Sequence, residues 1–389
     1  MNSFNQHDFL RDKTTWIGYL LIGTYCLTLS SMSPVVPYLR DELHLNYTVS
    51  SLHFSAWALG GITAGSFGNI IIRKLGCSRA IWTCAAGLCT AVIVLLVAKH
   101  EFFTIGSGVL GGACGSTMGQ GIVSIMSERF GPNRSIGITE ANICGSLFAF
   151  AAPLLMGQFI DCHLTWRAAL LVPLLAFFAF WIYARTVFTP YSAAATGGFA
   201  GGKLPTRYWF FWFVIWFAVA SEWSIIYWTS EFLERAKHLV RADAIRCISI
   251  FLVTMLLGRV IGLKLARTYK LGPLLAVVSM LALVGFLIYW LGPTPMVSLI
   301  GLGLTGLGMS NIYPLSYSQA IGSAENKAGL AAGRMSISTG TAVLVTPLAM
   351  GAIGDRLGIQ SSYAVIALLM TLAMILLVVS AVRAKGSPE

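Results

Sequence analysis

Residues 153–161 read Pro-Leu-Leu-Met-Gly-Gln-Phe-Ile-Asp, and residues 347–355 read Pro-Leu-Ala-Met-Gly-Ala-Ile-Gly-Asp. The stretches keep Pro, Leu, Met, Gly and Asp in step, 194 residues apart (347 − 153), half of a 389-residue chain. A second pair shares the offset: Gly68-Asn-Ile-Ile-Ile-Arg73 and Gly262-Leu-Lys-Leu-Ala-Arg267. Two distant motifs with one spacing mark the chain as two copies of one unit. Tyr191–Pro205, rich in Ala and Gly, falls between the copies and has the composition of a flexible connector.

Working outward from these motifs, the chain is mostly apolar. Hydrophobic residues make up 56% and charged residues 11%, against about 25% charged in a soluble domain. A soluble core cannot absorb that much apolar surface, so lipid is the solvent for much of it. A span of the bilayer core takes roughly 20 apolar residues as helix. That length places spans at about 15–38, 49–72, 78–98, 102–127, 135–160, 165–187, 207–233, 243–265, 272–292, 295–319, 328–352 and 360–383. The nearly continuous apolar run 271–310 also admits counts of eleven or thirteen, and Gly292-Pro-Thr-Pro295 divides it as a turn. The expected fold is an all-α membrane protein of twelve transmembrane helices in two six-helix bundles, 1–190 and 207–389, joined by a linker at 191–206.

Charge sets the orientation. With the N-terminus inside, eighteen of the 26 Lys and Arg fall on the inner face and eight on the outer, which predicts both termini cytoplasmic. The outer cluster Arg235–Arg246 is the local exception and, mixed with Glu231, Glu234 and Asp243, reads as a solvated loop or helix extension. The net charge of +11 is scattered in ones and twos, so it makes no nucleic-acid surface. The polar N-terminus does not start a cleaved signal peptide, so the first span is expected to be retained. The eight cysteines form no CxxC pair or metal-ligand spacing. No phosphate-cradling loop, HExxH or nucleophile elbow occurs, so no cofactor, ATP-driven pump or enzyme is expected. Expected partners are a small-molecule substrate, protons and lipid, with the protein a monomer in a plasma (inner) membrane.

At Gly68–Arg73 followed by Lys-Leu-Gly76, and at the paired Gly-x-x-x-Asp ends, the sequence resembles the major facilitator superfamily. The resemblance covers essentially the whole chain and implies a secondary transporter working by alternating access between two bundles. The family's loop after its second span, usually Gly-x-x-x-Asp-Arg-x-x-Gly-Arg, carries an aspartate that helps hold the inner face shut. Ile72 and Ala266 stand there instead, so that latch is missing. Glu222 in an aromatic seventh span resembles the fucose-permease-like branch. Drug antiporters of the superfamily usually carry a Gly-Pro-rich fifth span and an arginine in the fourth. Here Phe148, Ala149 and Ala152 precede Pro153, and the fourth span's apolar body has no arginine, which weakens that alternative.

An ionisable group in the hydrocarbon costs roughly 2.5–3.5 kcal/mol on insertion scales and so faces a cavity or a partner. Glu222 is the clearest case and is assigned proton coupling; the plain alternative is a carboxyl satisfied by a neighbouring helix. Substrate-cavity candidates are Tyr25, Trp57 and Gln120 in the first half, and Tyr227, Trp228, Asn311, Tyr313 and Tyr317 in the second. Trp209 and Trp212 are expected at the lipid interface. For the inner gate, Glu140 is expected to pair with Arg259 and Glu128 with Arg73 or Arg79. Arg334 is the repeat equivalent of Glu140, with opposite charge.

Overall fold

The computed structural model describes residues 11–131, 134–187, 203–269, 271–324 and 327–386; most of the linker at 191–206 lies outside them. Among the described residues every regular element is a helix. Six come from the first half: α1 (Lys13–Leu43), α2 (Tyr47–Leu75), α3 (Cys77–Val97), α4 (Glu101–Phe130), α5 (Arg134–Asp161) and α6 (Trp166–Ala184). The second half has α7 (Thr206–Lys237), then α8 (Arg241–Arg246) running into α9 (Ile248–Thr268), and α10 (Leu271–Leu291). It continues with α11 (Pro295–Met309), α12 (Ile312–Ser323), α13 (Ala328–Leu357), the short α14 (Ile359–Ser362) and α15 (Ala364–Gly386). Each predicted span therefore has a helix, and spans eight, ten and twelve are each built from two. Among the described residues, ten helical segments are long and apolar enough to cross a membrane. The other two, α2 and α4, are 29 and 30 residues long but carry more Gly, Ser and Thr.

The chain divides into two compact units whose boundaries do not follow the midpoint. One holds residues to Ser31, Leu59–Ala152 and Arg167–Ala195; the other holds Met32–Ala58, Pro153–Trp166 and everything from Thr196. The predicted outer ends of α1, α2 and α5 thus belong with the second half.

In the first unit, α3 and α4 form an antiparallel hairpin. Gly60 of α2 lies against the backbone of Val109 and Ala113 in α4, where any side chain would collide. Small residues are how helices close on one another in lipid, where apolar surface alone drives little association. In the second unit α7 is central, packed on α12, α13 and α15. Phe232, Tyr289 and Tyr363 are fully buried at its outer end, with Phe232 and Tyr363 stacked at 4.2 Å. At the other end Tyr208 donates to the Ala331 carbonyl at 2.8 Å, Trp212 to the Arg334 carbonyl at 2.9 Å, and Trp216 to Thr341 Oγ1 at 3.1 Å. Trp212, expected as an interface anchor, has a partner within the protein. Its indole N–H is spent on α13, zipping two helices together; Trp209 is roofed by the Arg334 guanidinium at 5.5 Å.

Candidate functional site: a midspan carboxylate beneath a closed charge layer

Glu222 stands at the middle of the 32-residue α7, about 24 Å from Thr206 and about 22 Å from Lys237 at helical rise. Among the described residues no hydrogen bond or ion pair holds its carboxylate. Arg259 of α9 and Tyr313 of α12 are the titratable groups whose charge it feels. Arg259 is exposed and lies within span eight, eighteen residues after its start at Arg241 and nine before the end of α9, so it stands in the inner half of the span, about 13 Å from that end. In place of the expected Arg259, the partners of Glu140 are Arg11 and Tyr19.

Those partners lie in its own unit. Arg11 grips the Glu140 carboxylate at 2.6 and 2.9 Å, and the Tyr19 hydroxyl donates to it at 3.1 Å. Next to it Arg129 meets Asp12 at 2.5 Å. Asp12 also caps α1, accepting from the Thr15 amide at 3.1 Å and the Thr15 hydroxyl at 2.9 Å. Partial burial opposes its charge, but the Thr15 bonds and Arg129 together hold the Asp12 carboxyl below its ordinary value. These contacts tie the segment before α1 to α4 and α5. Glu128 and Arg73 are both exposed, and no ion pair joins Glu128 to Arg73 or Arg79 among the described residues. Ile72, where the family's aspartate would stand, is 3% exposed and packs as core.

Span ten breaks at Ser310–Asn311. Asn311 has φ −110° and ψ −7°, outside the helix run, and its Nδ2 donates to the Gly258 carbonyl at 2.7 Å and to Ser310 Oγ at 2.8 Å. Asn311 is therefore buried at the break and bonded to α9, not a lining residue as expected. Tyr313, just beyond, is 36% exposed, and it stacks on Tyr317 at 5.8 Å. In the first unit Tyr25 and Gln120 are half-buried, with the Tyr25 hydroxyl 3.5 Å from Ser116 Oγ.

Trp57, Tyr227 and Trp228 are not open to a cavity here. Each is at most 6% exposed. Tyr227 donates to the Ser50 carbonyl at 2.6 Å, and Phe54 packs on Trp223 and Tyr227 at 5.6 and 4.9 Å. Ser33 donates to the Ile226 carbonyl at 2.6 Å, and Ser55 to the Leu344 carbonyl at 2.7 Å. The outer ends of α1 and α2 thus lie shut against α7 and α13 above Glu222, because small hydroxyl residues face backbone carbonyls that helix geometry leaves with a spare lone pair.

Above this floor lies a charge layer. Arg40 and Glu231 are paired at 2.5 Å with side chains 9% and 3% exposed. Tyr47 adds a hydrogen bond to Glu231 at 3.3 Å. Asp41 reaches Arg241 at 2.6 Å, which Glu234 also holds at 2.7 Å. Glu42 accepts the Trp166 indole N–H at 2.7 Å. The outer cluster is thus a helix extension, the end of α7 and all of α8, and its charges are paired within this layer instead of left to solvent. Its one legible signal is that it breaks the positive-inside pattern while alternating with acids.

The repeated aspartates complete the layer. Asp355 accepts from the Tyr47 and Thr48 amides at 2.6 and 2.9 Å and from the Thr48 hydroxyl at 2.5 Å. A carboxylate there caps the first turn of α2 and meets the positive end of its dipole. Asp161 pairs with Arg246 in α8. Tyr47 opens α2, and its equivalent 194 residues on, Arg241, opens α8. One motif therefore forms two related latches. Gly157 and Gly351 allow the approach. A methyl at Gly351 would sit 2.7 Å from the Tyr47 carbonyl oxygen, whereas at Gly157 it would meet the Arg246 side chain at 2.6 Å. A side chain can swing away and a capped backbone cannot. Gly351→Ala is therefore expected to lower the thermal midpoint through about 1–3 kcal/mol of overpacking, with a smaller loss in Gly157→Ala, where Arg246 can shift at the expense of its pair with Asp161. Equal midpoints for the two variants would refute the difference.

Comparison with known proteins places these features in a family. A family model described as Major Facilitator Superfamily matches residues 18–333. An uncharacterised MFS-type transporter of Yersinia pestis is 23% identical over 367 residues, covering 92% of each chain. Among solved structures, the nucleoside transporter NupG superposes with a TM-score of 0.79 at 12% identity, over 95% of this chain and 99% of that one. A peptide transporter of the POT type superposes at 0.73 with 13% identity, over 95% and 94%.

Proposed function

Because the chain belongs to the major facilitator superfamily and is therefore a multi-pass membrane transporter for a small molecule and not an enzyme, we propose that it is a secondary active carrier that moves a small organic solute by alternating access, coupled to protons through Glu222. Two six-helix halves, 1–190 and 207–389, joined by the linker 191–206, are the moving bodies, with both termini on the cytoplasmic side of a plasma (inner) membrane and the monomer as the working unit.

The observation that carries this reading is Glu222 itself. It is a carboxyl at midspan depth, held by no hydrogen bond or ion pair among the described residues, directly below a sealed layer. A group in that place takes a proton from one side and releases it to the other as access alternates. The charge layer of Arg40, Glu231, Asp41 and Arg241 acts as the outer gate in its shut state, and the Asp161 and Asp355 latches hold it. Arg11–Glu140 and Asp12–Arg129 brace the inner ends of the first half, with Glu128, Arg73 and Arg334 as further inner-face charges. Tyr25, Gln120, Tyr313 and Tyr317 are the solute contacts, and Trp57, Tyr227 and Trp228 join them when the outer layer opens.

A thermal-shift screen of small organic solutes on purified protein, followed by uptake of the stabilising compounds into proteoliposomes under an imposed pH gradient, tests the reading. Saturable accumulation that collapses with the gradient is expected. Flux that neither saturates nor responds to the gradient would refute it. Export in exchange for protons uses the same chemistry, and the sign of the response separates it from symport.

A further inference from the structure

The charges around Glu222 are confined to one half. Glu222 has Thr28 as its repeat equivalent, Arg259 has Gly65 and Tyr313 has Gly119. The scaffold is duplicated and these three groups are not, so they answer to something the scaffold does not require. Arg259 is the unusual member. It is exposed inside an apolar span, nine residues from the end of α9 and between Gly258 and Val260, where a guanidinium needs a partner or a polar cavity. Its backbone is anchored: Asn311 at the break in span ten holds the Gly258 carbonyl at 2.7 Å. The same break presents Tyr313 and Tyr317, stacked with their planes 28° apart. Among the helices packed on α7, Arg259 of α9 and Tyr313 of α12 are the titratable groups that interact electrostatically with Glu222, and Tyr317 stacks on Tyr313. Arg334 of α13 sits over Trp209, about 20 Å down the helix. Among the described residues neither Glu222 nor Arg259 is closed off by an ion pair.

We propose that Arg259 is the anion-binding group of the transport site, shared between Glu222 and a carboxylate or similar monoanionic group on the solute. This rests on Glu222 as the coupling carboxylate. With Glu222 ionised, the pair is neutral. A monoanion arriving at Arg259 leaves the site with one surplus negative charge, which a medium of low dielectric strongly disfavours. A proton taken from water onto Glu222 restores neutrality, and no other bond changes. One proton therefore travels with each monoanion, and the loaded and empty sites cross the membrane with the same charge. The guanidinium fork suits a carboxylate's two oxygens, and the Tyr313–Tyr317 stack supplies a flat apolar wall for the rest of the solute.

The test is a thermal-shift panel of matched carboxylic acids and their primary amides on the purified full-length protein, wild type and variants, across a pH series. At least one acid is expected to stabilise the wild type while its amide does not, and to do so less well as pH rises. Arg259→Gln is expected to weaken that acid at least about 30-fold. Glu222→Gln is expected to keep it, with the pH dependence gone. Should Arg259→Gln fail to fold, Arg259→Lys decides, retaining the preference for acid over amide at reduced affinity. No stabilising acid, amides as effective as acids, or wild-type affinity in Arg259→Gln would each overturn the assignment. Gradient-driven transport without a preference for acids sinks the anion site alone. Arg259-dependent acid binding that ignores pH in the wild type leaves the anion site standing and sinks the coupling role of Glu222.

Discussion

Glu222→Gln is expected to cut solute accumulation driven by a pH gradient by about 100-fold or more, while the protein still folds and still exchanges solute at equal pH. Glutamine keeps the size and the hydrogen-bonding ends of a protonated carboxyl but cannot release a proton. A carrier stuck in the protonated form can cross loaded; what it loses is the return step in which the proton leaves. The separation of two assays carries the argument. Counterflow at symmetrical pH reads binding and alternation, and gradient-driven uptake reads coupling. Loss of both with a normal thermal midpoint would make Glu222 a binding residue. Uptake at the wild-type rate under a gradient would remove it from the mechanism. Gln also leaves Arg259 without its counter-charge, so an anionic solute should bind the variant at least as well as the wild type.

The second large effect belongs to the outer layer. Glu231→Ala removes one partner of a pair whose side chains are 9% and 3% exposed, leaving the Arg40 charge buried. Breaking such a pair costs about 3–5 kcal/mol. The protein can escape that cost by opening the layer and wetting Arg40, so the shift is expected in conformation more than in global stability. Ser33→Cys is the reporter, because Ser33 is 1% exposed in the shut layer and its hydroxyl is spent on α7. With the native cysteines replaced, a membrane-impermeant maleimide added outside should label it at least about tenfold faster in Glu231→Ala. The double variant Arg40→Met with Glu231→Leu should return to slow labelling, since apolar packing can replace a buried ion pair. Unchanged labelling in Glu231→Ala would mean the pair does not hold the gate.

The two predictions sit on opposite sides of what sequence can reach. Glu222 was visible because its depth along α7 follows from counting residues, and a lone acid in an apolar run stands out. The Gly-x-x-x-Asp repeats were visible for the same reason. Arg40 and Glu231 were not. Each looked like an ordinary charge just past a span, because a linear chain does not say which helix end meets which. The partners of Glu140 are equally hidden: Arg11 and Tyr19 hold it, and nothing in the spacing of charges along the chain distinguishes them from Arg259. Asn311 looked like a solute contact because a polar residue beside Pro314 suggests a cavity. Its side chain instead closes the break onto Gly258. Trp212 reads as an interface anchor in the sequence, and only the fold shows its indole N–H bonded to α13.

The sequence by itself determined the solvent, the span lengths, the duplication and the depth of the midspan acid, since all of these depend on residue type and on distance along the chain. Only the tertiary structure decided which charges are partners, which aromatics are sealed, and that the repeated aspartates serve as two related latches. These depend on helix rotation and on approaches set by a single missing side chain, as at Gly351, and helices far apart in the sequence settle them together.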